Sequence, residues 1–201
     1  MHMIKAILFD VDGVLVNEEK KYFSVHLEEE LGISQKITKE FFATEFLDCV
    51  DGAKDLRDVL PKYLKAWGWD VSVNEALKYW HTKEHIVNEP LINEMTVYKE
   101  KGIKIYTATN QEVYRTKYIR EDMGFGKIFD EVIASSMLGV RKPNHKYFQH
   151  ILQRIQQEAQ DVLFWDDRDE NITAAEEVGM HAEHYQGFTQ FKDIMFTKYN
   201  L

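Results

Sequence analysis

The sequence contains little cysteine and relatively few basic side chains. Its single cysteine, Cys49, excludes an internal disulfide and a cysteine-rich zinc site, and we interpret it as an ordinary semi-buried side chain. The 25 lysines and arginines are outnumbered by 34 aspartates and glutamates, which gives a formal net charge of -9. A general binder of nucleic acids or of anionic membranes needs a basic surface, so we expect neither partner. An anionic substrate must therefore be held by local charges.

Long hydrophobic runs are absent as well. The first apolar run, Ile4 to Phe9, ends in Asp10 and is too short for a signal-peptide core or a membrane span, so we expect a cytoplasmic protein. The composition, 44% hydrophobic and 29% charged, is that of a globular chain without repeats or low-complexity tracts. Its 201 residues allow one sizeable domain with a modest insertion.

Short strand patterns alternate with helical patterns in the second half of the chain. Five strands are predicted, at Ile4–Phe9, Ile103–Thr107, Val132–Ala134, Val162–Trp165 and His181–Tyr185. The predicted helices between and after them are Leu91–Lys101, Gln111–Met123, Lys146–Ile155, Asn171–Val178 and Thr189–Lys198. Such alternation is typical of a parallel sheet covered on both faces. We therefore predict an α/β, doubly wound (Rossmann-like) fold.

The stretch between the first two predicted strands has no convincing strand pattern. It predicts three or four amphipathic helices, with turn signals at Gly32, Asp51–Gly52, Pro61 and Gly68–Asp70. We expect a core domain formed by residues 1–16 and 89–201, and a helical cap domain formed by residues 17–88.

Polar side chains stand at four of the predicted strand ends. They are Asp10 and Asp12 after the first strand, Thr109 and Asn110 after the second, Lys142 beyond the third, and Asp166 and Asp167 after the fourth. Open parallel sheets bind ligands outside the carboxyl ends of their strands, so we expect these residues to share one site.

Asp10 and Asp12 are separated by one residue, which suits a nucleophile and an acid/base partner. A carboxylate that attacks phosphorus must overcome repulsion between anions, and a hard divalent cation with oxygen ligands screens that repulsion. Mg²⁺ fits this role, with Asp10, the Asp12 backbone carbonyl and Asp167 as ligands and Asp166 close behind. Lys142 would offset the remaining negative charge.

Neutral groups beside these carboxylates would hold the phosphoryl oxygens. We expect the Thr109 hydroxyl and nearby backbone amides, with Asn110 next to it, to donate hydrogen bonds to them. Gly13 would let the backbone turn tightly beside the phosphate. Asp12, when protonated, would donate to the leaving oxygen and later take a proton from the attacking water.

Four segments, in this order, resemble the haloacid dehalogenase superfamily. Phe9–Leu15 is similar to its first motif, Thr107–Gln111 to the second, Arg141–Pro143 to the third and Phe164–Asn171 to the fourth. The resemblance implies a Mg²⁺-dependent phosphohydrolase with Asp10 as nucleophile, Asp12 as general acid/base, Thr109 as phosphate binder, Lys142 as charge stabiliser and Asp167 as metal ligand. It also implies that Asn171 orients Lys142 or Asp166, and a helix-start role is the competing interpretation.

The helical insertion resembles the class I cap of beta-phosphoglucomutase-like and sugar-phosphatase members. This implies a small phosphorylated metabolite as substrate, with sugar phosphates as the leading expectation, and a monomer or homodimer. Four basic residues are candidates to face the substrate, although a charged helical face is usually solvated: Lys20, Lys21, Lys54 and Arg57. His81 and His85 are expected at the surface, and the cap tryptophans either line a pocket or pack the helices.

Other functions remain open on the sequence. A sugar phosphomutase uses the same residues as a phosphatase. A dehalogenase needs neither Asp12 nor the pair Asp166 and Asp167, and a phosphonatase needs a cap lysine that we cannot identify. A receiver-like phosphorylation switch places its acidic pair and its phosphorylated aspartate in a different order. A non-catalytic phospho-acceptor or binding protein is the alternative from another class.

Overall fold

The computed structural model describes residues 3–16, 19 and 21–201. From β1 (Ala6–Phe9) the chain continues through α1 (Phe23–Leu31), α2 (Gln35–Ala43), α3 (Glu45–Val50), α4 (Leu56–Ala66), α5 (Val73–Lys83) and α6 (Glu89–Glu100). It then forms β2 (Lys104–Thr109), α7 (Val113–Glu121), α8 (Phe125–Ile128), β3 (Glu131–Ala134), α9 (Ser135–Leu138), α10 (His145–Ile155), a 3₁₀ turn (Ala159–Asp161), β4 (Val162–Asp166), α11 (Asp169–Glu177), β5 (His181–His184) and α12 (Phe188–Thr197). None of the helices in these described ranges combines the length and the apolar composition needed to span a bilayer.

β1 lies at the centre of a five-stranded parallel sheet with the strand order β3-β2-β1-β4-β5. Phe9 of β1 lies opposite Thr107 of β2 and Trp165 of β4, so the residues that follow these positions meet at one edge. Because the strand order reverses direction at β1, its carboxyl end is the switch point where such sheets bind ligands. The prediction of an α/β doubly wound fold is confirmed.

The side chains of β1 alternate between two hydrophobic clusters. Ile7 and Phe9 pack with residues of α6, α7 and α12 on one face of the sheet. Ala6 and Leu8 pack with residues of α10 and α11 on the other face. Both faces are therefore covered, as apolar parallel strands require.

Five helices, α1 to α5, occupy the described residues between β1 and α6, where three or four were predicted. The buried members of their own hydrophobic cluster all lie between residues 23 and 80. Ser34, Asp55 and Ser72 accept backbone N–H groups at the starts of α2, α4 and α5. We call these five helices the cap; the division into residues 17–88 and residues 1–16 with 89–201 stays a prediction.

The prediction of a turn at Pro61 is wrong. Pro61 lies inside α4 and is exposed, whereas Leu56, Leu60 and Leu64 recur every four residues on the buried face of this helix. Packing of that face offsets the backbone hydrogen bond that proline cannot make. The additional helix is α3. Only Thr44 separates it from α2, so in the sequence the two segments have the pattern of one amphipathic helix.

The bounds of the core elements differ from the predicted ones by one or two residues. β2 continues to Thr109 because Thr109 still lies opposite Ala134 of β3. α7 begins only at Val113, because the Glu112 side chain accepts the backbone N–H groups at its start. The short helices α8 and α9 escaped prediction since four residues carry no periodic pattern.

Candidate active site

Asp10 lies directly after β1, at the switch point of the sheet. It is 7% exposed, and its backbone N–H donates to the Trp165 carbonyl at 2.9 Å. One carboxylate oxygen, Oδ1, accepts the Val11 backbone N–H at 2.7 Å and lies 2.9 Å from Lys142 Nζ. Burial, above all, raises the pKa of Asp10 to about 8; the Lys142 ammonium opposes this shift, and the Asp166 carboxylate adds to it.

Lys142 is buried between acidic side chains, with an exposed fraction of 3%. Its Nζ donates to Asp166 Oδ2 at 2.6 Å in addition to its contact with Asp10. Burial alone would lower the pKa of Lys142, but the two carboxylates outweigh it and the pKa is raised. The side chain is therefore a fixed cation between the two aspartates.

Two asparagines hold this ion pair in place. The Asn110 side chain accepts the Lys142 backbone N–H at 2.9 Å and donates to the Lys142 carbonyl at 3.0 Å. Asn171 Nδ2 donates to Asp166 Oδ1 at 2.9 Å. Asn171 lies inside α11, which begins at Asp169, so of the two interpretations its contact favours orientation of Asp166 over a helix-start role. Because the Asn110 side-chain amide is bonded to Lys142, the Asn110 backbone N–H is the group that stays a candidate donor to phosphate.

The carboxylates of Asp10, Asp166 and Asp167 form a cluster suited to a cation. One oxygen from each lies within 4.8 Å of the others, and all three residues are buried. Ligands of one Mg²⁺ ion, bound at 2.0–2.1 Å, lie at most about 4.2 Å apart, so small movements would close the cluster around an ion. Burial and the neighbouring Asp166 carboxylate raise the pKa of Asp10, and a divalent cation bound here would favour the charged form of Asp10.

Gly13 provides the room that Asp167 needs. Its φ is +90°, and a Cβ atom added there would lie 2.7 Å from Asp167 Oδ2. The predicted tight turn at Gly13 therefore serves the third carboxylate as well as the backbone. Its own N–H donates to the Val16 carbonyl at 2.7 Å.

The Asp12 side chain is half-buried and meets two residues that follow β2. Gln111 Nε2 donates to Asp12 Oδ2 through a short hydrogen bond, and Arg115 Nη2 lies 3.8 Å from Asp12 Oδ1. Neither residue was singled out from the sequence. The position of Gln111 directly after Asn110 could have indicated its place in the site. The sequence around Arg115 has the pattern of an ordinary solvated helix and gave no such indication.

Thr109 is buried at the end of β2, beside β1. Tyr147 donates from its hydroxyl to the Thr109 carbonyl at 3.3 Å. Thr109, Asn110 and Lys142 thus reach the same edge of the sheet as Asp10. All the strand-end residues predicted to share one site are in this region.

A cavity of about 800 Å³ lies over Asp12, between the core and the cap. Its core side is formed by Asp12, Asn110, Gln111, Arg168 and neighbouring atoms. Its cap side is formed by residues of the four helices α1, α2, α3 and α5 and by two residues that flank them: Tyr22, Phe23, Ser24, Gln35, Lys36, Thr38, Lys39, Phe42, Ala43, Phe46, Leu47, Trp80 and Glu84. The cap side thus combines aromatic rings with polar and charged side chains.

None of the three candidate basic cap residues that the structure describes lines the cavity. Lys21 forms an ion pair with Glu29, Lys54 forms ion pairs on the surface, and Arg57 lies 4.6 Å over the Tyr114 ring. The fourth candidate, Lys20, lies outside the described residues. The local sequence does not distinguish these four basic residues from Lys36 and Lys39, which do line the cavity.

The expectation that His81 lies at the surface is wrong. Its ring is buried 4.9 Å from the Tyr118 ring, and burial together with the nearby Arg115 guanidinium lowers the pKa of His81 to about 3. His85 is exposed, as expected, and bonds to the Tyr118 hydroxyl. α5 ends at Lys83, so the two histidines do not share a helix.

Comparison with known proteins agrees with this geometry. A family model described as haloacid dehalogenase-like hydrolase matches residues 4–179. The chain is 28% identical over 193 residues to a glyceraldehyde 3-phosphate phosphatase of Methanopyrus kandleri, with 89% of this chain and 82% of that one covered. It is 35% identical over 86 residues to a sesquiterpene phosphatase of Aspergillus oryzae, a match that covers 43% of this chain and less than half, 44%, of that protein.

A solved structure supports the same fold. A haloacid dehalogenase family enzyme of Bacteroides thetaiotaomicron, in complex with magnesium and inorganic phosphate, superposes with a TM-score of 0.78. The alignment covers 91% of this chain and 94% of that one at 19% identity, a level at which the likeness concerns the fold alone. The family model spans well over half of the sequence, and it confirms the resemblance of the four motifs. The relatives named here are phosphatases, and the chain belongs to the haloacid dehalogenase-like hydrolases.

Proposed function

We propose that this enzyme is a Mg²⁺-dependent phosphatase of small phosphate monoesters that works through a phosphorylated Asp10. One observation carries the proposal. A buried carboxylate at the switch point, Asp10, is fixed by Lys142 at 2.9 Å beside two further buried carboxylates.

In the first step the Asp10 carboxylate attacks phosphorus, and the bond between phosphorus and the leaving oxygen breaks. Asp12 gives its proton to that oxygen, so a neutral alcohol departs. Gln111 donates to Asp12 Oδ2 and Arg115 Nη2 lies 3.8 Å from Asp12 Oδ1, so contacts from the segment after β2 fix the position of this side chain. Lys142 and the Thr109 hydroxyl stabilise the charge on the transferring phosphoryl group.

In the second step water attacks the phosphorus of the aspartyl phosphate. Asp12 takes a proton from the water, the bond between Asp10 and phosphorus breaks, and inorganic phosphate and the Asp10 carboxylate are released. Asp10, the Asp12 carbonyl and Asp167 would hold Mg²⁺, with Asp166 behind them. The bound ion would supply charge neutralisation for the phosphoryl oxygens and for Asp10.

The relatives support hydrolysis, although their leaving groups differ. One is named for glyceraldehyde 3-phosphate and another for a sesquiterpene phosphate, so a phosphate monoester is what they have in common. The phosphomutase alternative and the non-catalytic phospho-acceptor use the same residues, and both remain predictions without an observation that favours them. Sugar phosphate as the substrate, a cytoplasmic location and a monomeric or dimeric state also stay predictions.

Phosphate release from an aryl phosphate tests the proposal. We expect release by the wild type with Mg²⁺ and a loss with chelator, and Asp10→Asn should lower the rate by about three orders of magnitude or more. Asp193→Asn, an exposed change on α12, is the matched control and should leave the rate unchanged. Full activity of Asp10→Asn, or activity that chelator does not affect, would contradict the proposal.

A further inference from the structure

The cavity over Asp12 has a wall of aromatic rings on its cap side. The rings of Phe42 and Phe46 lie 5.4 Å apart, and each lies within 5.7 Å of the Trp80 ring. Phe23 stacks on the Trp80 ring at 4.4 Å and also lines the cavity. Phe42 and Phe46 are only half-buried, so they present part of each ring to the cavity.

The polar groups buried on this side of the cavity are already engaged within the protein. The Thr38 hydroxyl donates to the Gln35 carbonyl at 3.2 Å, and Glu84 Oε1 accepts the Phe23 backbone N–H at 2.7 Å. Lys36 and Lys39 are exposed, where water solvates them and where they attract an anionic ester. A sugar needs a partner for every hydroxyl that it buries, since an unmatched hydroxyl forfeits its hydrogen bonds to water.

The size of the cavity also indicates a bulky leaving group. Its volume of about 800 Å³ lies in the upper part of the range of roughly 300–1,000 Å³ that is usual for drug-sized ligands. A phosphate with a two- or three-carbon leaving group would leave much of the aromatic wall in contact with water. A hydrocarbon or aryl group would cover it.

We propose that the alcohol released by this enzyme is apolar, a hydrocarbon or aryl group seated against Phe42, Phe46 and Trp80, rather than a sugar. This rests on the phosphatase function proposed above. Asp12 lies on the core side of the same cavity, so the leaving oxygen at Asp12 and a hydrocarbon on the cap side belong to one continuous space.

The test is kcat/KM for a series of n-alkyl phosphates, with glucose 6-phosphate as the polar match for hexyl phosphate. We expect kcat/KM to rise about fourfold for each added methylene until the cavity is filled. Hexyl phosphate should exceed glucose 6-phosphate by roughly a hundredfold. A flat series, or a preference for glucose 6-phosphate, would overturn the inference and leave the phosphatase function standing.

Two variants localise the effect. Phe46→Ala should flatten the dependence on chain length, and Phe46→Leu should keep most of it if the alanine variant folds poorly. Phe196→Ala is the matched control, because Phe196 is 72% exposed on α12 and should leave the series unchanged. An alanine variant at Phe46 with the wild-type dependence would count against the aromatic wall.

Binding separates this inference from the proposed function. Calorimetry with non-hydrolysable alkylphosphonates of the same chain lengths should show affinity that rises with length in the wild type and much less in Phe46→Ala. If no ester is hydrolysed but this rise is found, the phosphatase function fails and the apolar site stands. If affinity is independent of length, the apolar site is refuted.

Discussion

A single methyl group added at Gly13 would disturb the proposed metal site. In Gly13→Ala the new Cβ would lie 2.7 Å from Asp167 Oδ2 and 2.8 Å from its Cγ, where ordinary contacts begin at 3.4 Å. The carboxylate must therefore move by about 0.7 Å. Metal–ligand distances tolerate only about 0.2 Å, so in the proposed site the displaced oxygen would no longer reach an ion held by Asp10. We expect the affinity for Mg²⁺ to fall at least tenfold.

The same substitution carries a backbone cost that must be separated from this effect. Alanine at a φ of +90° costs roughly 1–2 kcal/mol of stability. Gly179→Ala is the matched control, since Gly179 has a φ of +95° and its new Cβ would meet only Ala159 Cβ at an ordinary 3.6 Å. Both variants should lose similar stability in urea denaturation, and only Gly13→Ala should need more Mg²⁺ for half-maximal activity and for binding in calorimetry. Equal Mg²⁺ affinity in the two variants would refute the assignment of Asp167.

Two further predictions concern the buried charges between core and cap. Arg115 Nη2 lies 3.9 Å from Glu84 Oε2 and donates to the Glu84 carbonyl. Arg115→Met should therefore lower the free energy of unfolding in urea by about 3 kcal/mol, and adding Glu84→Gln should restore a large part of it. A loss below about 1 kcal/mol would contradict this. His81 has a pKa of about 3 in the folded protein and stays neutral there, whereas in the unfolded chain it takes a proton below pH 6.5. Acidification from pH 7.5 to pH 5 should therefore remove about 2 kcal/mol of stability through this group. His81→Gln should lack that increment, and an identical pH dependence in both proteins would contradict it.

The core and its site were predictable because the signals are local. The apolar run that ends in Asp10, and the one that ends in Asp166, each combine a strand with the polar residue at its end. The topology of a parallel sheet then places these ends at one edge, whatever the loops between them do. Thr109 follows the same rule, whereas Lys142 lies beyond α9 and is held at this edge by the Asn110 side chain.

The cap and the partners of Asp12 were not predictable because their roles arise from contacts between distant segments. Arg115 and His81 have the pattern of exposed helical residues, and they are buried only where α7 meets the end of α5. Phe42 and Phe46 have the spacing of a helical core, and nothing local shows which part of each ring faces a cavity. Pro61 marks a turn in most contexts, and only the packed leucine face of α4 overrides that signal.

The most direct test of the account is the site of phosphorylation during turnover. The enzyme is mixed with Mg²⁺ and a phosphate monoester, quenched in acid, and digested for mass spectrometry. The account predicts a hydroxylamine-sensitive phosphoryl group on the peptide that contains Asp10, formed only with Mg²⁺ and absent from Asp10→Asn. A phosphoryl group on another residue, or an Asp10→Asn variant that turns over as fast as the wild type, would contradict it.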